Sequence, residues 1–278
     1  MITLLSPAKI NLFLKIISRR DDGYHELASL FQAVSLFDTL TFKRCEEKDR
    51  LNCSDPEIPV DDRNLVIQAV NLFRKESGLD FFVDIDLDKQ IPSQAGLGGG
   101  SSNAATTLWA LNEMFGKPVT LPVLKSWGTK LGSDVPFFLS TGTAFCQGRG
   151  EVMKDLGPLK ISSKFVLTKP SFGMSTADVY RNLDISRFQE RDLLNDLNTF
   201  LGGDGVYFND LEEPAFRLSP ELLSFKQSLK AEQVLMSGSG SAFFCVGDKV
   251  SIPCGTWQTK VSPVNRQATG WYTHGCVA

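Results

Sequence analysis

IPSQAGLGGGSSNAA, running from Ile91 to Ala105, is the stretch on which the reading of this chain turns. Four of the five residues from Gly96 to Gly100 are glycine. Just upstream, FFVDIDLD (81–88) alternates apolar and polar residues, the period of a half-buried strand. Just downstream, the spacing predicts a helix from about Ser102 to Phe115, with Ser101, Ser102 or Asn103 as its cap. Consecutive glycines let the backbone adopt left-handed dihedrals and turn several N–H groups into one concavity. The positive end of the helix lies behind that concavity. Strand, glycine loop and helix together make a phosphate site from backbone alone. A mere connection needs a glycine or two; further glycines cost folding entropy with no structural return.

Other phosphate signatures fail on this loop. No Lys follows the glycines, as Walker A requires. A G-x-G-x-x-G pattern meets Ser101 at its last place when started at Gly96, and Asn103 when started at Gly98. No G-x-S-x-G elbow, H-R-D or D-F-G is present.

Outward from the loop, the N-terminal ITLLSPAKINLFLKIIS reads as one or two strands broken near Pro7. RRDDGY is a charged turn, and LASLFQAVSLFDTLTFKR is strand material with a turn at Phe37–Asp38. Residues 45–62 read as a surface loop. Residues 64–75 have helical spacing, with Asn64 as N-cap and Gly78 as stop. A second helix is predicted over 121–131, ended by Gly132–Ser133–Asp134. In the second half, strands are predicted at 164–168, 233–236 and 242–246, and helices at 176–182, 190–200 and 220–229. Strands and helices come in mixed order, which favours α+β over a doubly wound sheet. A boundary in the glycine-rich, charged stretch 148–160 divides the chain into domains 1–155 and 156–278.

Composition narrows the function classes. The chain has 278 residues, 42% apolar and 22% charged, enough to bury a sizeable core without staples. With a net charge of −3 and no run of Lys or Arg, a nucleic-acid partner is not expected, whereas a small anionic ligand is compatible. Six cysteines without a C-x-x-C pair, and only His25 and His274, argue against structural zinc and fit a reducing cytosol. No apolar run is long enough to span a membrane, and a working motif at Pro7 leaves no room for a targeting peptide.

Three blocks in order, PAKINLFL (7–14), GLGGGSSNAA (96–105) and MSGSGSAFF (236–244), resemble the GHMP family of small-molecule kinases, which includes galactokinase, homoserine kinase and mevalonate kinase. The resemblance covers nearly the whole chain. It implies an α+β, two-domain kinase fold with mixed and antiparallel sheets packed by helices, and an active site in the cleft between the domains. The ATP-binding domain would come first. RRDDGYHELASLFQAVSLFD (19–38), GSDVPFFL (132–139) and the Asn209–Phe216 segment point to a branch whose alcohol substrate carries a cytidine diphosphate. Two departures stand out. Gln94–Ala95 replace the glycines usual before Gly96, and the tail from Trp257 onward matches no recognised pattern.

The resemblance assigns roles residue by residue. Asp134 is the candidate base and Lys9 its partner; an adjacent cation keeps a carboxylate ionised and stabilises charge on a transferring phosphoryl group. Asp134 could equally cap the short helix that begins at Val135–Pro136. Asn11 lies on the same strand face as Lys9 and would hydrogen-bond substrate. Pro92, Gly96, Leu97, Gly98, Gly99, Gly100, Ser101 and Ser102 would hold ATP, with either serine able to reach Mg²⁺, an ion implied by phosphoryl transfer and not by any carboxylate cluster. Tyr24 and His25 would form the cytidine pocket, Tyr180 closing it, though Tyr180 read alone is a core aromatic. Gly238 and Ser239 would pack under the loop and touch substrate, or simply form a hairpin turn. Two other readings remain open: a family member acting on homoserine or a sugar, and a nucleotide sensor without turnover.

Overall fold

The computed structural model describes residues 1–161 and 164–273; His274 and Cys276 lie outside them. In chain order the strands are β1 (Ile2–Arg19), β2 (His25–Cys45), β3 (Arg50–Cys53), β4 (Phe82–Asp88), β5 (Thr143–Gly148), β6 (Val152–Asp155), β7 (Phe165–Lys169), β8 (Phe208–Asn209), β9 (Gln233–Met236), β10 (Phe243–Val246) and β11 (Trp257–Val261). The helices are α1 (Leu65–Ser77), α2 (Gly99–Met114), α3 (Leu121–Leu131), α4 (Val135–Phe138), α5 (Thr176–Arg181), α6 (Leu193–Gly202), α7 (Glu212–Leu218) and α8 (Pro220–Ser228). The fold is α+β, as the mixed order of elements predicts.

Among the described residues the strands form two sheets. One runs β3-β4-β2-β1-β8, with β5 on β2 and β6 on β5; the other runs β11-β7-β10-β9. Strand β2 is long enough to pair β5 along Leu27–Gln32 and β4 along Thr39–Cys45. The expected break near Pro7 and the expected turn at Phe37–Asp38 are one feature, and neither ends a strand. Pro7 faces Phe37 but Ala8 faces Val34, so Ser35 and Leu36 bulge out of β2 while both strands continue. A bulge tolerates the missing proline N–H, so the pairing resumes beyond it. The stretch 45–62, expected to be loop, contains β3, which pairs parallel to β4. Its alternation is too short to register as a strand signal.

The two-residue period of β1 sends Ala8, Ile10 and Leu12 into the core between the sheets. Lys9 and Asn11 therefore point to the opposite face, where helices α1 to α4 pack. Helix α2 is the hub of that layer, with every residue from Ser102 to Asn112 buried. α1 ends as predicted: Asn64 accepts a hydrogen bond from the Val66 N–H, and Gly78 closes it in the left-handed region. α3 spans the predicted residues.

The tail is an integral strap. After β11, Trp271 packs against Trp109 with ring centroids 5.0 Å apart, and its indole N–H donates to the Leu5 carbonyl at 2.6 Å. The buried Arg266 guanidinium donates to the Leu139 carbonyl at the end of α4. Chain from the far end thus closes the core around α2.

Candidate active site

The glycine loop begins with Gln94 at φ 51° and continues through Gly96 at φ 73° and Gly98 at φ 71°. At Gly96 only glycine fits, because a Cβ there would lie 2.0 Å from the Ser237 carbonyl oxygen. The helix starts earlier than predicted. Gly98 is its N-cap, with no side-chain cap, so neither Ser101, Ser102 nor Asn103 caps it. The first intrahelical bond runs from the Ser102 N–H to the Gly98 carbonyl, so the amides of Gly99, Gly100 and Ser101 have no partner within the helix. These three face the positive end of a 16-residue helix.

The loop is pinned from below. The Ala242 N–H donates to the Ala95 carbonyl and the Ser237 hydroxyl to the Gly96 carbonyl. The 237–242 segment is at once a hairpin connection, since Met236 pairs Phe243, and the platform beneath the loop. Asn209, whose role sequence reasoning missed, holds that platform by donating to the carbonyls of Met236 and Gly238. Asp38 was missed too. Its fully buried carboxylate accepts from the amides of Gln90 and Ile91, from Asn103 Nδ2 and from Lys89 Nζ, the last at 2.6 Å. In sequence Asp38 reads as a turn residue, and nothing nearby announces partners 51 to 65 positions away.

Lys9 is buried, and its ammonium has three neighbours. Asn11 Oδ1 lies at 2.7 Å, Asp134 Oδ2 at 3.4 Å, and the Phe31 ring centroid at 4.5 Å. Its backbone N–H donates to the Leu97 carbonyl, tying β1 to the glycine loop. Asp134 stands at the N-cap position of α4, but its own backbone is helical and its side chain caps nothing. The carboxylate turns toward Lys9 instead, so the expectation that it caps α4 is corrected. Asn11 lines the cavity, but its amide is engaged by Lys9 and by Ser29.

Two cavities meet at Asp134. The first, about 440 Å³, is lined by Lys9, Asn11, Pro92, the residues 96–101, Gly238 and Ser239, and by Ile58, Asn64, Leu65 and Lys89. The second, about 820 Å³, is lined by Tyr24, His25, Arg19, Ser133 and Ile185. Leu27, Asp134, Arg149, Thr176 and Tyr180 border both. Ser101 is on the first cavity; Ser102 is not. It is fully buried, and its hydroxyl accepts from Ser6 at 2.8 Å, so the expectation that it contacts phosphate is corrected.

In the second cavity the His25 and Tyr180 rings lie 5.6 Å apart, and Tyr24 is exposed. Burial, with the Arg19 charge adding, holds the His25 imidazole below its usual range. The ring is therefore neutral at pH 7, with one donor and one acceptor nitrogen. Tyr180 is half-buried against an apolar cluster that includes Leu14, Ile16 and Leu27, and it also lines the cavity. Burial, with Asp134 nearby, pushes its phenol upward, and it stays a neutral hydroxyl. Arg149, also missed, sits in the turn after β5, its guanidinium 4.8 Å from the Tyr24 ring centroid. Among the described residues no group of three or more His, Cys, Asp or Glu converges, and no helix is long and apolar enough to cross a membrane.

A glycine loop at the start of a helix and a Lys–Asp pair thus stand where two cavities meet, and the comparisons show the class to be a small-molecule kinase. Residues 64–142 match the family described as GHMP kinases N terminal domain. The 4-diphosphocytidyl-2-C-methyl-D-erythritol kinase of Protochlamydia amoebophila is 52% identical over 98% of this chain and 93% of that one. The like-named protein of Clostridium beijerinckii is 38% identical over 87% of this chain and 89% of its own. A crystal structure of 4-(cytidine 5'-diphospho)-2C-methyl-D-erythritol kinase superposes with a TM-score of 0.76 at 35% identity, covering 94% of this chain and 99% of that one. Homoserine kinase from Cytophaga hutchinsonii, 17% identical, shares the fold at a TM-score of 0.66 over 96% of each chain. The chain belongs to the GHMP kinases, in the family of 4-diphosphocytidyl-2-C-methyl-D-erythritol kinases.

Proposed function

We propose that this enzyme transfers the γ-phosphoryl group of ATP to a hydroxyl of 4-diphosphocytidyl-2-C-methyl-D-erythritol, giving the 2-phosphate and ADP, a cytoplasmic step toward isoprenoid precursors by the non-mevalonate route. The observation that carries this reading is Asp134 at the border of two cavities, one walled by the glycine loop and the other by Tyr24, His25 and Tyr180. The phosphates of ATP lie on the amides of Gly99, Gly100 and Ser101, with Pro92, Gly96, Leu97 and Gly98 shaping the loop. Its nucleoside end extends toward Asn64, Leu65 and Lys89. Cytosine lies between Tyr24 and Tyr180, with His25 on its edge; stacking serves any base because every base has a π-face. Gly238 and Ser239 close the floor. This reading assigns the nucleotide-binding unit to 1–155 and the remainder to 156–278, with β8 and the strap after β11 crossing back.

In the reaction the acceptor oxygen bonds to the γ-phosphorus as the bond to the β,γ-bridging oxygen breaks, in line. Asp134 orients the hydroxyl and takes its proton. Lys9 keeps Asp134 ionised and stabilises charge on the equatorial oxygens. Mg²⁺ is implied by phosphoryl transfer; the Ser101 hydroxyl would help to hold it, and it would neutralise charge on the phosphates.

The test is ADP release with a panel of alcohols. Turnover with the cytidine-linked substrate, and none with homoserine, galactose or free 2-C-methylerythritol, is the expected result; equal turnover with a simple alcohol overturns it. Arg149 bears on the same choice. It borders both cavities, and the turn carrying it approaches Asp134, a Cβ at Gly150 falling 3.9 Å from Oδ1. That is where the diphosphate link would pass. Arg149→Met is expected to raise KM for the cytidine substrate about 10- to 100-fold, the size of a charge-assisted hydrogen bond, with KM for ATP within about twofold.

A further inference from the structure

The Lys9 ammonium needs an acceptor from Asn11, yet an amide can present either of its ends. What selects the end is Ser29. Its hydroxyl, fully buried on β2, donates to the Phe13 carbonyl at 2.5 Å. A carbonyl can only accept, so the single hydroxyl proton is committed there, and the Ser29 oxygen is left purely an acceptor. It accepts from Asn11 Nδ2 at 2.9 Å. The other end of the amide, Oδ1, is thereby turned to Lys9 Nζ at 2.7 Å. A flipped amide would set N–H donors against the ammonium and, unless the serine gave up Phe13, leave a hydroxyl oxygen facing an oxygen.

The arrangement depends on the bulge in β1. Asn11 pairs Phe31 and Phe13 pairs Leu30, leaving Leu12 as the extra residue. The bulge puts the Phe13 carbonyl beside Ser29 while Asn11 stays on the face of Lys9.

We propose that Ser29 is a positioning residue for phosphoryl transfer: through Asn11 it fixes the polarity of the amide that holds Lys9 against Asp134. The proposal rests on the roles of Lys9 and Asp134 given above. It differs from packing because it predicts an effect transmitted only through Asn11, on the chemical step and not on binding.

The experiment is a double-mutant cycle on full-length enzyme, read by steady-state ADP release, with thermal melting alongside. Ser29→Ala is expected to lower kcat about tenfold, the scale of one buried hydrogen bond, with KM for ATP and for the alcohol within about twofold. Ser29→Thr, which keeps the hydroxyl, recovers most of the loss. In an Asn11→Ala background, followed by single turnover, Ser29→Ala has no further effect, because the amide it orients is gone. An unchanged kcat in Ser29→Ala, or an equal loss in both backgrounds, overturns the proposal. If Ser29→Ala does not fold, Ser29→Cys, near in size and a weak acceptor, is put through the same cycle, and the same two results overturn the proposal. Failure of the functional reading is distinct, since wild-type enzyme would then release no ADP with the cytidine substrate.

Discussion

Asp134→Ala is expected to lower kcat by about two to four orders of magnitude, the range of a positioned general base, while ATP affinity and melting temperature stay near wild type. The selectivity of that loss follows from what the carboxylate does not do. It makes no cap for α4, whose start is set by Pro136 in the first turn, and it is about one-third exposed. Lys9 keeps Asn11 and the Phe31 ring when Asp134 is gone. ATP would be held by the amides of Gly99, Gly100 and Ser101 and not by this carboxylate. Asp134→Asn separates two duties, since the amide can still orient the hydroxyl but cannot take its proton. Turnover is read by ADP release and affinity by calorimetry. An Asp134→Ala enzyme within tenfold of wild type would remove Asp134 from the chemistry.

Asp38→Ala is the largest expected effect on stability, about 3–5 kcal/mol, the cost of breaking a buried ion pair from one side. The Asp38 carboxylate is fully buried, and its partner Lys89 has a side chain only 7% exposed. Removing the carboxylate takes an acceptor from that ammonium, from the amides of Gln90 and Ile91, and from the Asn103 side chain, which keeps the Ser6 hydroxyl. Lys89 retains only the Ile91 carbonyl. Because Lys89 lines the first cavity and Ile91 opens the glycine loop, KM for ATP rises with the loss of stability. Asp38→Asn, which keeps an acceptor oxygen, costs less. Urea denaturation measures both, and a wild-type midpoint for Asp38→Ala would contradict the assigned role.

Local order made much of this legible in the chain. Asn64, Gly78 and the strict alternation of residues 81–88 gave α1 and β4 because caps and periodicity are properties of consecutive residues. The glycine run announced a tight loop before a helix for the same reason. Sequence reasoning misplaced the helix start and its cap by a few residues. The glycines that form the loop can themselves enter the helix, and Gly98 needs no side chain to open it. It also divided β1 and β2 at Pro7 and Phe37–Asp38, since a bulge and a chain break look alike until the partner strand is known.

What the sequence alone determined is the glycine loop, the alternation that puts Lys9 and Asn11 on one face, and the family to which the motifs belong. Each depends on contacts within a few residues or on pattern order. Only the tertiary structure decided that Asp134 turns to Lys9 and not to its own helix, that Ser102 is sealed behind Ser101, and that Asp38, Ser29, Asn209 and the Arg266 strap brace the site. Those contacts join residues far apart in the chain, from 16 positions for Ser29 and Phe13 to 127 for Arg266 and Leu139. The free energy of burying a polar group depends on the partner it meets there, and one chain position carries no record of that partner.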